Sequence, residues 1–447
     1  MEFQSSSHSI VEEKDSFEAS QLGRSHSFTL PFDILGLIFH HVAAGYPVHL
    51  SSLLFVCRSW HDAVCLHPTL WATIRVDRTL LTIFAPKGAF RKLLIKHYIH
   101  SCLRRSGTVS LDVSVDLHPH QLSSFTSQNG LLETWSYLFF LVTDLIGPGG
   151  EHARRWRSFT WWCHRLDFTS RIFSKFPLIL PVLEILRLRG VRLDASHIGA
   201  FPRCPRLHIV ELHQFAVHPL KNEDCLLVSD LFITTEIVWL SLDLIVLSQF
   251  PRIRQLTLHT TLKGRALFIL DRDDPPLNEV MLPRLQCLQL RGDVPSQVVG
   301  GLVVPSLKDL ALDSYTSLEI LGDLSLTRTV ETVHIAIPNL DPYLLPKQVE
   351  KLLEAAPALK QLCAPKWFHN WLDKSKFHLG ADILVVVEWN HIGDDAPLSL
   401  MAYTLLSSKT AGVQIKVILL RLSCLFRLPL VQQPLQHEQS NTNLSGA

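Results

Sequence analysis

Apolar side chains follow three different patterns along this chain, and each pattern predicts a different structure. Residues 1–27 are polar and rich in serine and acidic side chains, so we expect a disordered leader. Between residues 28 and 75, apolar side chains recur every three or four positions, which predicts short amphipathic helices. From residue 109 onward, apolar and polar residues alternate in short runs, which predicts strands.

The helical region carries start and stop signals. Thr29 can cap the first turn, and Pro31 is tolerated there because the N–H that it lacks would have no helical partner. Asp33 suits the positive end of the helix dipole, whereas Gly45 and Pro47 end the helix. The region amounts to about 45 residues, below the size at which a core is comfortably stable alone. We therefore expect it to rely on a partner or on the following domain.

The strand region contains a loose repeat. Residues Leu111–Val115 alternate strictly and predict a strand. Seven later segments share the spacing Leu-x-x-Leu-x-Leu, with Ile or Val at some positions, and begin at Leu183, Leu207, Ile237, Ile253, Leu285, Leu307 and Val330. Their intervals of 16 to 32 residues are typical of leucine-rich repeats, in which each strand buries its leucines against its neighbours. The Asn or Cys that closes a regular repeat is missing, so we expect an irregular solenoid.

Composition narrows the functional classes. The chain has 447 residues and a formal net charge of +1, so no global field favours nucleic acid or a membrane surface. Its nine cysteines form no CxxC pair, which indicates reduced thiols in a cytoplasmic or nuclear protein. The N-terminus lacks the apolar core of a signal peptide. The nearest candidate for a membrane span, residues 413–430, contains three cations, so we expect no membrane segment.

Residue patterns typical of catalysis are missing from the sequence. It contains no nucleophile elbow, metalloprotease helix, phosphate-binding loop or dinucleotide fingerprint. Gly147–Gly150 is rich in glycine, but Pro148 removes an amide donor, so a turn is predicted. His97, His100 and Cys102 lie close in sequence, as do the histidines at 118 and 120, yet zinc needs about four convergent ligands. We expect no enzyme activity, no metal and no cofactor.

The segment Arg154–Arg189 combines charge with aromatic rings. It holds eight Lys or Arg against two acidic residues, interleaved with tryptophan and phenylalanine. Such interleaving also occurs in grooves that bind single-stranded nucleic acid. However, the spacing of Trp156, Phe159 and Trp161 fits a strand that buries its rings while the arginines face water. The strand is the favoured interpretation, and nucleic-acid binding is kept as an alternative.

Three blocks in the helical region resemble the F-box motif, particularly as it occurs in large fungal families of F-box proteins. They are Leu30–Leu35 (LPFDIL), Leu54–Trp60 (LFVCRSW) and the pair Leu70-Trp71, in that order and spacing. The resemblance implies a three-helix module that docks on a Skp-type adaptor and, through it, on a cullin. It places Leu30, Pro31, Ile34, Leu35 and Ile38 at the adaptor surface. By the same resemblance, Val56, Cys57 and Trp60 would hold the helices together and would also contribute in part to the contact with the adaptor.

The expected fold class is therefore mixed α+β or α/β, with an N-terminal three-helix F-box followed by an irregular leucine-rich-repeat-like solenoid. The expected segments are a disordered leader (1–27), an F-box (28–75), a helical linker (76–108), the substrate-recognition domain (109–375), a C-terminal extension (376–430) and a disordered tail (431–447). By resemblance, the chain would be the non-catalytic substrate-recognition subunit of a cullin-type ubiquitin ligase, holding a substrate protein that the sequence does not identify. The alternatives are an F-box scaffold outside ubiquitin ligation and a nucleic-acid-binding repeat protein.

Overall fold

The computed structural model describes residues 30–45, 49–77, 80, 89–117, 139–163, 171–189, 201–213, 222–235, 247–260, 279–292, 294, 296–313, 328–336, 351, 354–365, 384–388, 406–410 and 413–417. The chain divides into two compact units, residues 1–70 and residues 71–447. The predicted leader, the predicted tail and the predicted strand that begins at Ile237 lie outside the described residues. So does most of the predicted C-terminal extension.

The described part of the first unit contains three helices: α1 (Phe32–Gly45), α2 (His49–Leu53) and α3 (Arg58–Leu66), followed in sequence by a 3-10 turn (Pro68–Trp71). Helix α1 begins directly after Pro31, whose carbonyl accepts a hydrogen bond from the Leu35 N–H at 3.1 Å. One side of each helix is apolar and faces the others, because residues three or four apart share a face. The buried apolar side chains of this unit are Leu35, Phe39, Ala43, Leu50, Ala63, Val64 and Leu70.

The second unit is built on one parallel sheet of twelve strands. In spatial order they are β1 (Thr73–Val76), β2 (Leu111–Leu117), β3 (Trp156–Cys163), β4 (Ile185–Arg189), β5 (Ile209–His213), β6 (Asp230–Thr235), β7 (Gln255–Thr260), β9 (Cys287–Arg291), β11 (Asp309–Leu312), β12 (Thr332–Ile335), β13 (Gln361–Pro365) and β14 (Leu384–Glu388). Two short pairs lie outside it. They are the parallel pair β8 (Val280–Met281) with β10 (Leu302–Val303) and the antiparallel pair β15 (Leu406–Thr410) with β16 (Val413–Val417).

Helices are few in the described part of this unit. The named ones are α4 (Ala89–Arg105), α5 (Asn222–Cys225) and α6 (Ser296–Gly300), and residues 139–146 are also helical. Helix α4 lies in the segment predicted as a helical linker. None of the described helices is long and apolar enough to cross a membrane.

The register of the sheet stacks apolar side chains into two continuous rows. Leu186 on β4 pairs with Val210 on β5, and Leu188 pairs with Leu212, each two residues along the same strands. Because side chains alternate between the faces of a strand, all four lie on one face, where they are buried. The strand predicted at Leu111–Val115 is confirmed by β2. Six of the seven leucine segments place their last two apolar positions in strands, namely in β4, β5, β7, β9, β11 and β12.

The predicted fold class is nevertheless wrong. In place of a three-helix F-box followed by a leucine-rich-repeat-like solenoid, the structure has a mostly parallel sheet with few helices, which is an α/β arrangement. The physical reason is that any parallel strand buried on one face needs apolar residues two positions apart. The leucine spacing therefore reports where strands lie and not how the chain is arranged around them. The missing Asn or Cys at the turns was a sign in the sequence against a regular repeat.

Aromatic rings fill the core beside β3. Trp156, Phe159 and Trp161 are fully buried, and the rings of Trp156 and Phe159 stack with their centroids 4.7 Å apart. The prediction that this strand buries its rings is confirmed. Arg157, which alternates with these rings, is exposed and forms an ion pair with Asp112 on β2 at 2.5 Å. Because the buried rings are not accessible to bases, the basis for the nucleic-acid interpretation is weakened.

Candidate functional site

Most of the residues predicted at an adaptor surface are exposed on the first unit. Leu30, Ile34 and Ile38 are 45%, 42% and 39% exposed, and Pro31 is exposed as well. Leu35 is the exception, because only 2% of it is exposed, and its placement at the adaptor surface was wrong. In a helix, residue 35 lies about 100° around the axis from residue 34, which turns Leu35 toward the core of the unit.

The residues that were predicted to hold the helices together also differ from one another in exposure. Trp60 is half-buried and packs edge-on against Phe39, with ring centroids 5.1 Å apart, so it holds α3 against α1 as expected. Val56 is 55% exposed and Cys57 is also exposed, in the turn between α2 and α3. The packing role predicted for these two was wrong, since a side chain in an outward-facing turn cannot hold helices together. Their predicted contribution to a contact surface remains a prediction.

Sequence reasoning missed several exposed apolar side chains of the first unit. Leu37 on α1 is 67% exposed, Phe55 beside Val56 is 87% exposed, and Leu66 at the end of α3 is 68% exposed. Ile34, Leu37 and Ile38 are spaced i, i+3 and i+4 and share one face of α1, and the exposed Leu30 lies in the residues directly before the helix. We call these four residues the α1 stripe. A soluble protein that exposes several large apolar side chains side by side usually covers them with a partner.

The packing around Gly36 explains why this weak helix former is found inside α1. A Cβ atom at this position would lie 3.0 Å from Nε2 of His67, so the absence of a side chain lets α1 approach that ring. The same ring stacks on Phe32 with centroids 5.1 Å apart. His40, one turn further along, lies 3.0 Å from the Thr69 hydroxyl. These contacts hold α1 against the chain that follows α3 and keep its apolar stripe on the opposite side.

A second candidate surface lies on the face of the sheet opposite the apolar rows. Neighbouring strands place Arg189 (β4), His213 (β5), Thr234 (β6), His259 (β7) and Arg291 (β9) at matching register positions near their carboxyl ends. All five side chains are half-buried. We call them the carboxyl-end row. Four of the five are cationic or can become so, and the row itself includes no acidic residue.

One step earlier on the same face, an ion pair neutralises the charges of Arg187 and Glu211. Nε of Arg187 lies 2.7 Å from Oε1 of Glu211, and the Glu211 side chain is only 8% exposed. Burial alone would raise the pKa of Glu211, but His213 and Arg187 beside it hold that pKa below its usual value. His213 Nε2 lies 3.8 Å from the other carboxylate oxygen, which is electrostatic proximity rather than a hydrogen bond. Burial lowers the pKa of His213, and the charge of Arg189 lowers it further.

The two arginines of the carboxyl-end row have different surroundings. The guanidinium carbon of Arg189 lies 5.4 Å from the centroid of the Trp162 ring, and burial lowers the pKa of Arg189. Its Nε is buried and has no hydrogen-bond partner among the described residues. Arg291 is held by Gln289, whose amide oxygen, once turned toward it, accepts from Nε and Nη2 at 2.8 Å each. Both guanidinium groups are thus held in place, and Nε of Arg189 lacks a hydrogen-bond acceptor among the described residues.

His259 makes the stability of this face dependent on pH. Burial, together with the nearby charge of Arg291, lowers the pKa of His259 to about 4. The unfolded chain takes up this proton near pH 6.5, so stability should fall as the pH drops from about 6.5 to about 4. In His259→Gln, we expect the acid-induced loss in the free energy of unfolding to shrink by on the order of 1 kcal/mol, allowing for solvent screening. Urea unfolding at pH 7.5 and 4.5 measures this, and equal losses in variant and wild type would contradict the assignment.

The histidines and the cysteine that lie close together in sequence do not form a metal site in the described part of the structure. Cys102 is buried, and its pKa is raised by that burial to about 12. His100 Nε2 lies 3.4 Å from the Asp144 carboxylate on a neighbouring helical segment. Within the described parts of the chain, no group of three or more His, Cys, Asp or Glu residues could hold a metal ion. The histidines at 118 and 120 lie outside the described residues, and Gly147–Gly150 forms a turn, as predicted.

The α1 stripe and the carboxyl-end row are thus two candidate surfaces in the part of the chain that the structure describes. The first exposes apolar area, and the second presents fixed cations. Neither contains a nucleophile aligned with a base and an oxyanion site, which catalysis of acyl transfer would need. In comparisons with known proteins, the chain matches no family model and no curated protein.

Proposed function

We propose that this protein is the substrate-recognition subunit of a cullin-type ubiquitin ligase. Its first unit would dock on a Skp-type adaptor, as the resemblance to the F-box motif implies, and its sheet would hold the substrate protein. The observation that supports the proposal best is the α1 stripe, which exposes apolar side chains on the helix that carries the LPFDIL block. The protein would do no chemistry itself. It would raise the effective concentration of the substrate near the ubiquitin-conjugating enzyme.

The energetics favour a partner for the α1 stripe. Removing apolar area from water contributes about 25 cal/mol per Å², so covering a half-exposed Leu or Ile side chain stabilises a complex by on the order of 1 kcal/mol. The stripe has four such side chains, and Phe55 and Val56 add apolar area in the turn after α2. A groove on a helical partner is the usual acceptor for an apolar stripe of this spacing. Leu35 is not part of this contact, because it is already buried.

Co-purification with a Skp-type adaptor and a cullin tests the proposal. In Ile34→Asp/Ile38→Asp, two charges enter the α1 stripe without touching a buried residue, so recovery of the adaptor should fall at least tenfold. The control is Leu93→Asp/Phe140→Asp, which places two charges at apolar positions of the other unit that are more exposed, at 64% and 66%. Circular dichroism spectra should be unchanged in both double variants.

The outcomes separate the alternatives. Loss of the adaptor in the stripe variant alone supports docking through α1, and recovery of cullin with the wild type then supports a ligase receptor. Adaptor without cullin would favour a scaffold outside ubiquitin ligation. If the wild type recovers no adaptor, or if both double variants lose it equally, the proposal is wrong.

A further inference from the structure

The carboxyl-end row presents two fixed cations, Arg189 and Arg291, at a separation that suits a ligand with at least two negative charges. Adjacent strands of a sheet lie about 4.8 Å apart, so Arg189 and Arg291, four strands apart, are separated by about 19 Å. His213 and His259 lie between them in the same register. The adjacent positions outside the row are Trp162 at one end and Asp313 at the other.

Two acidic residues near the row are already engaged, and a third, Asp116 on β2, lies two strands from Arg189 at the same register and offsets part of its charge. Glu211 is paired with Arg187 at 2.7 Å, and Asp313 accepts a hydrogen bond from the Gly292 N–H at 2.6 Å. Arg189, in contrast, keeps a buried Nε without an acceptor among the described residues. A buried donor of a charged group costs free energy until an acceptor reaches it. The surface therefore favours a ligand that brings anionic oxygens.

We propose that the carboxyl-end row binds an extended, acidic peptide segment of the substrate protein, whose anionic side chains are received by Arg189 and Arg291. This inference rests on the proposed function, since it names the chemistry of the substrate that the sheet would hold. Carboxylates of Asp and Glu and phosphoryl groups share the required chemistry, because both accept paired hydrogen bonds from guanidinium. An extended segment advances about 3.3 Å per residue, so about six residues span the row.

A peptide fits this surface better than nucleic acid does. The fully buried rings of Trp156, Phe159 and Trp161 cannot stack on bases, and the half-buried ring of Trp162 beside the row is already in contact with the Arg189 guanidinium. Asp230 and Asp309 lie at one register position on the same face, where a continuous phosphate backbone would meet repulsion. A short acidic segment can place its charges at the row alone.

Fluorescence polarisation with the full-length protein tests the inference directly. The first probe is a labelled peptide of about eight residues in which Asp and Ser alternate. In the second probe Asn replaces each Asp, and in the third phosphoserine replaces each Asp. A single-stranded oligonucleotide of equal charge is the fourth probe. We expect the acidic peptides to bind at least tenfold more tightly than the Asn peptide, and the comparison of Asp with phosphoserine identifies which anion the row prefers.

Matched double variants locate the binding. Arg189→Gln/Arg291→Gln should weaken binding of the acidic peptides at least tenfold. Arg206→Gln/Arg252→Gln removes the same charge from exposed positions at the amino ends of β5 and β7 and should leave binding within twofold. Equal weakening in both variants, no preference for acidic over Asn peptide, or tighter binding of the oligonucleotide would each overturn the inference.

A measurement on the wild type does not depend on how the variants fold. Phenylglyoxal modifies accessible arginines, and mass spectrometry reports the rate at each site. The bound acidic peptide should slow modification of Arg189 and Arg291 at least threefold and leave Arg206 and Arg252 unchanged. Uniform rates would overturn the inference. None of these assays contains the adaptor, so failure here leaves docking through α1 untouched, and failure of adaptor binding leaves the peptide result standing.

Discussion

Replacing Trp161 by alanine is expected to lower the free energy of unfolding of the sheet-bearing unit by about 4 kcal/mol. Trp161 is fully buried, and its ring lies 6.1 Å from that of Phe159 and 6.4 Å from that of Phe173, centroid to centroid. Truncation removes the apolar area of an indole and leaves a cavity in a close-packed interior. Urea unfolding followed by far-UV circular dichroism measures the loss.

The next residue provides the control for this prediction. Trp162 is half-buried, points to the opposite face of β3 and contacts the Arg189 guanidinium at 5.4 Å. Trp162→Ala should therefore lose only about 1 kcal/mol, the strength of a partly exposed cation–π contact. If the two variants are destabilised equally, the assignment of inward and outward faces on β3 is wrong.

The positions of many strands could be predicted from the sequence, whereas their arrangement could not. A strand buried on one face needs apolar residues two positions apart, and Leu186 with Leu188 or Leu288 with Leu290 meet that need within five residues. Strand β6 was missed although Val228, Leu231 and Ile233 follow the same spacing with Val and Ile in place of two leucines, because the segment that begins at Ile237 was assigned to this stretch instead. The fold class depends on contacts between segments far apart in the chain, which local spacing does not encode.

The local sequence pattern is also not enough to predict which residues form the candidate surfaces. Ile34, Leu35, Ile38 and Phe39 are all apolar, so periodicity alone cannot decide which side of α1 faces the core. The packing of Phe39 against Trp60 decides it, and it turns Leu35 inward with Phe39. This contact joins residues 21 positions apart, and its geometry is set by the turn between α2 and α3.

The carboxyl-end row did leave a signal in the sequence. Arg189, His259 and Arg291 each follow directly on the last leucine of a Leu-x-Leu pair, and His213 follows the pair Val210-x-Leu212. If parallel strands are aligned on these leucines, the four residues fall into one row. Sequence reasoning missed it because the charged segment Arg154–Arg189 was considered as a local cluster, whereas the row draws one residue from each of five distant segments.

Replacing Gly292 by alanine is expected to lower the free energy of unfolding by about 3 kcal/mol and to weaken acidic-peptide binding as well. Gly292 has a φ of +65°, and a Cβ atom there would lie 2.0 Å from the carbonyl oxygen of Thr260 on β7. The left-handed conformation alone costs a residue with a side chain about 1 kcal/mol, and the clash with backbone forces the neighbouring strand ends apart. Gly107→Ala is the control, since Gly107 has a φ of +56° and nothing within 4 Å of the added Cβ.

The two effects of Gly292→Ala have one cause. Gly292 follows Arg291 directly. Its N–H is held by the carboxylate of Asp313, directly after β11, at 2.6 Å, and its backbone closely approaches Thr260 on β7, so it fixes the end of β9 between the ends of β7 and β11. Movement of that end shifts Arg291 relative to His259 and breaks the spacing of the carboxyl-end row. Gly107→Ala should lose about 1 kcal/mol and keep its affinity for the acidic peptide. Urea unfolding and fluorescence polarisation on the two variants measure both quantities, and equal stability losses would show that the close approach of Thr260 is not what requires a glycine.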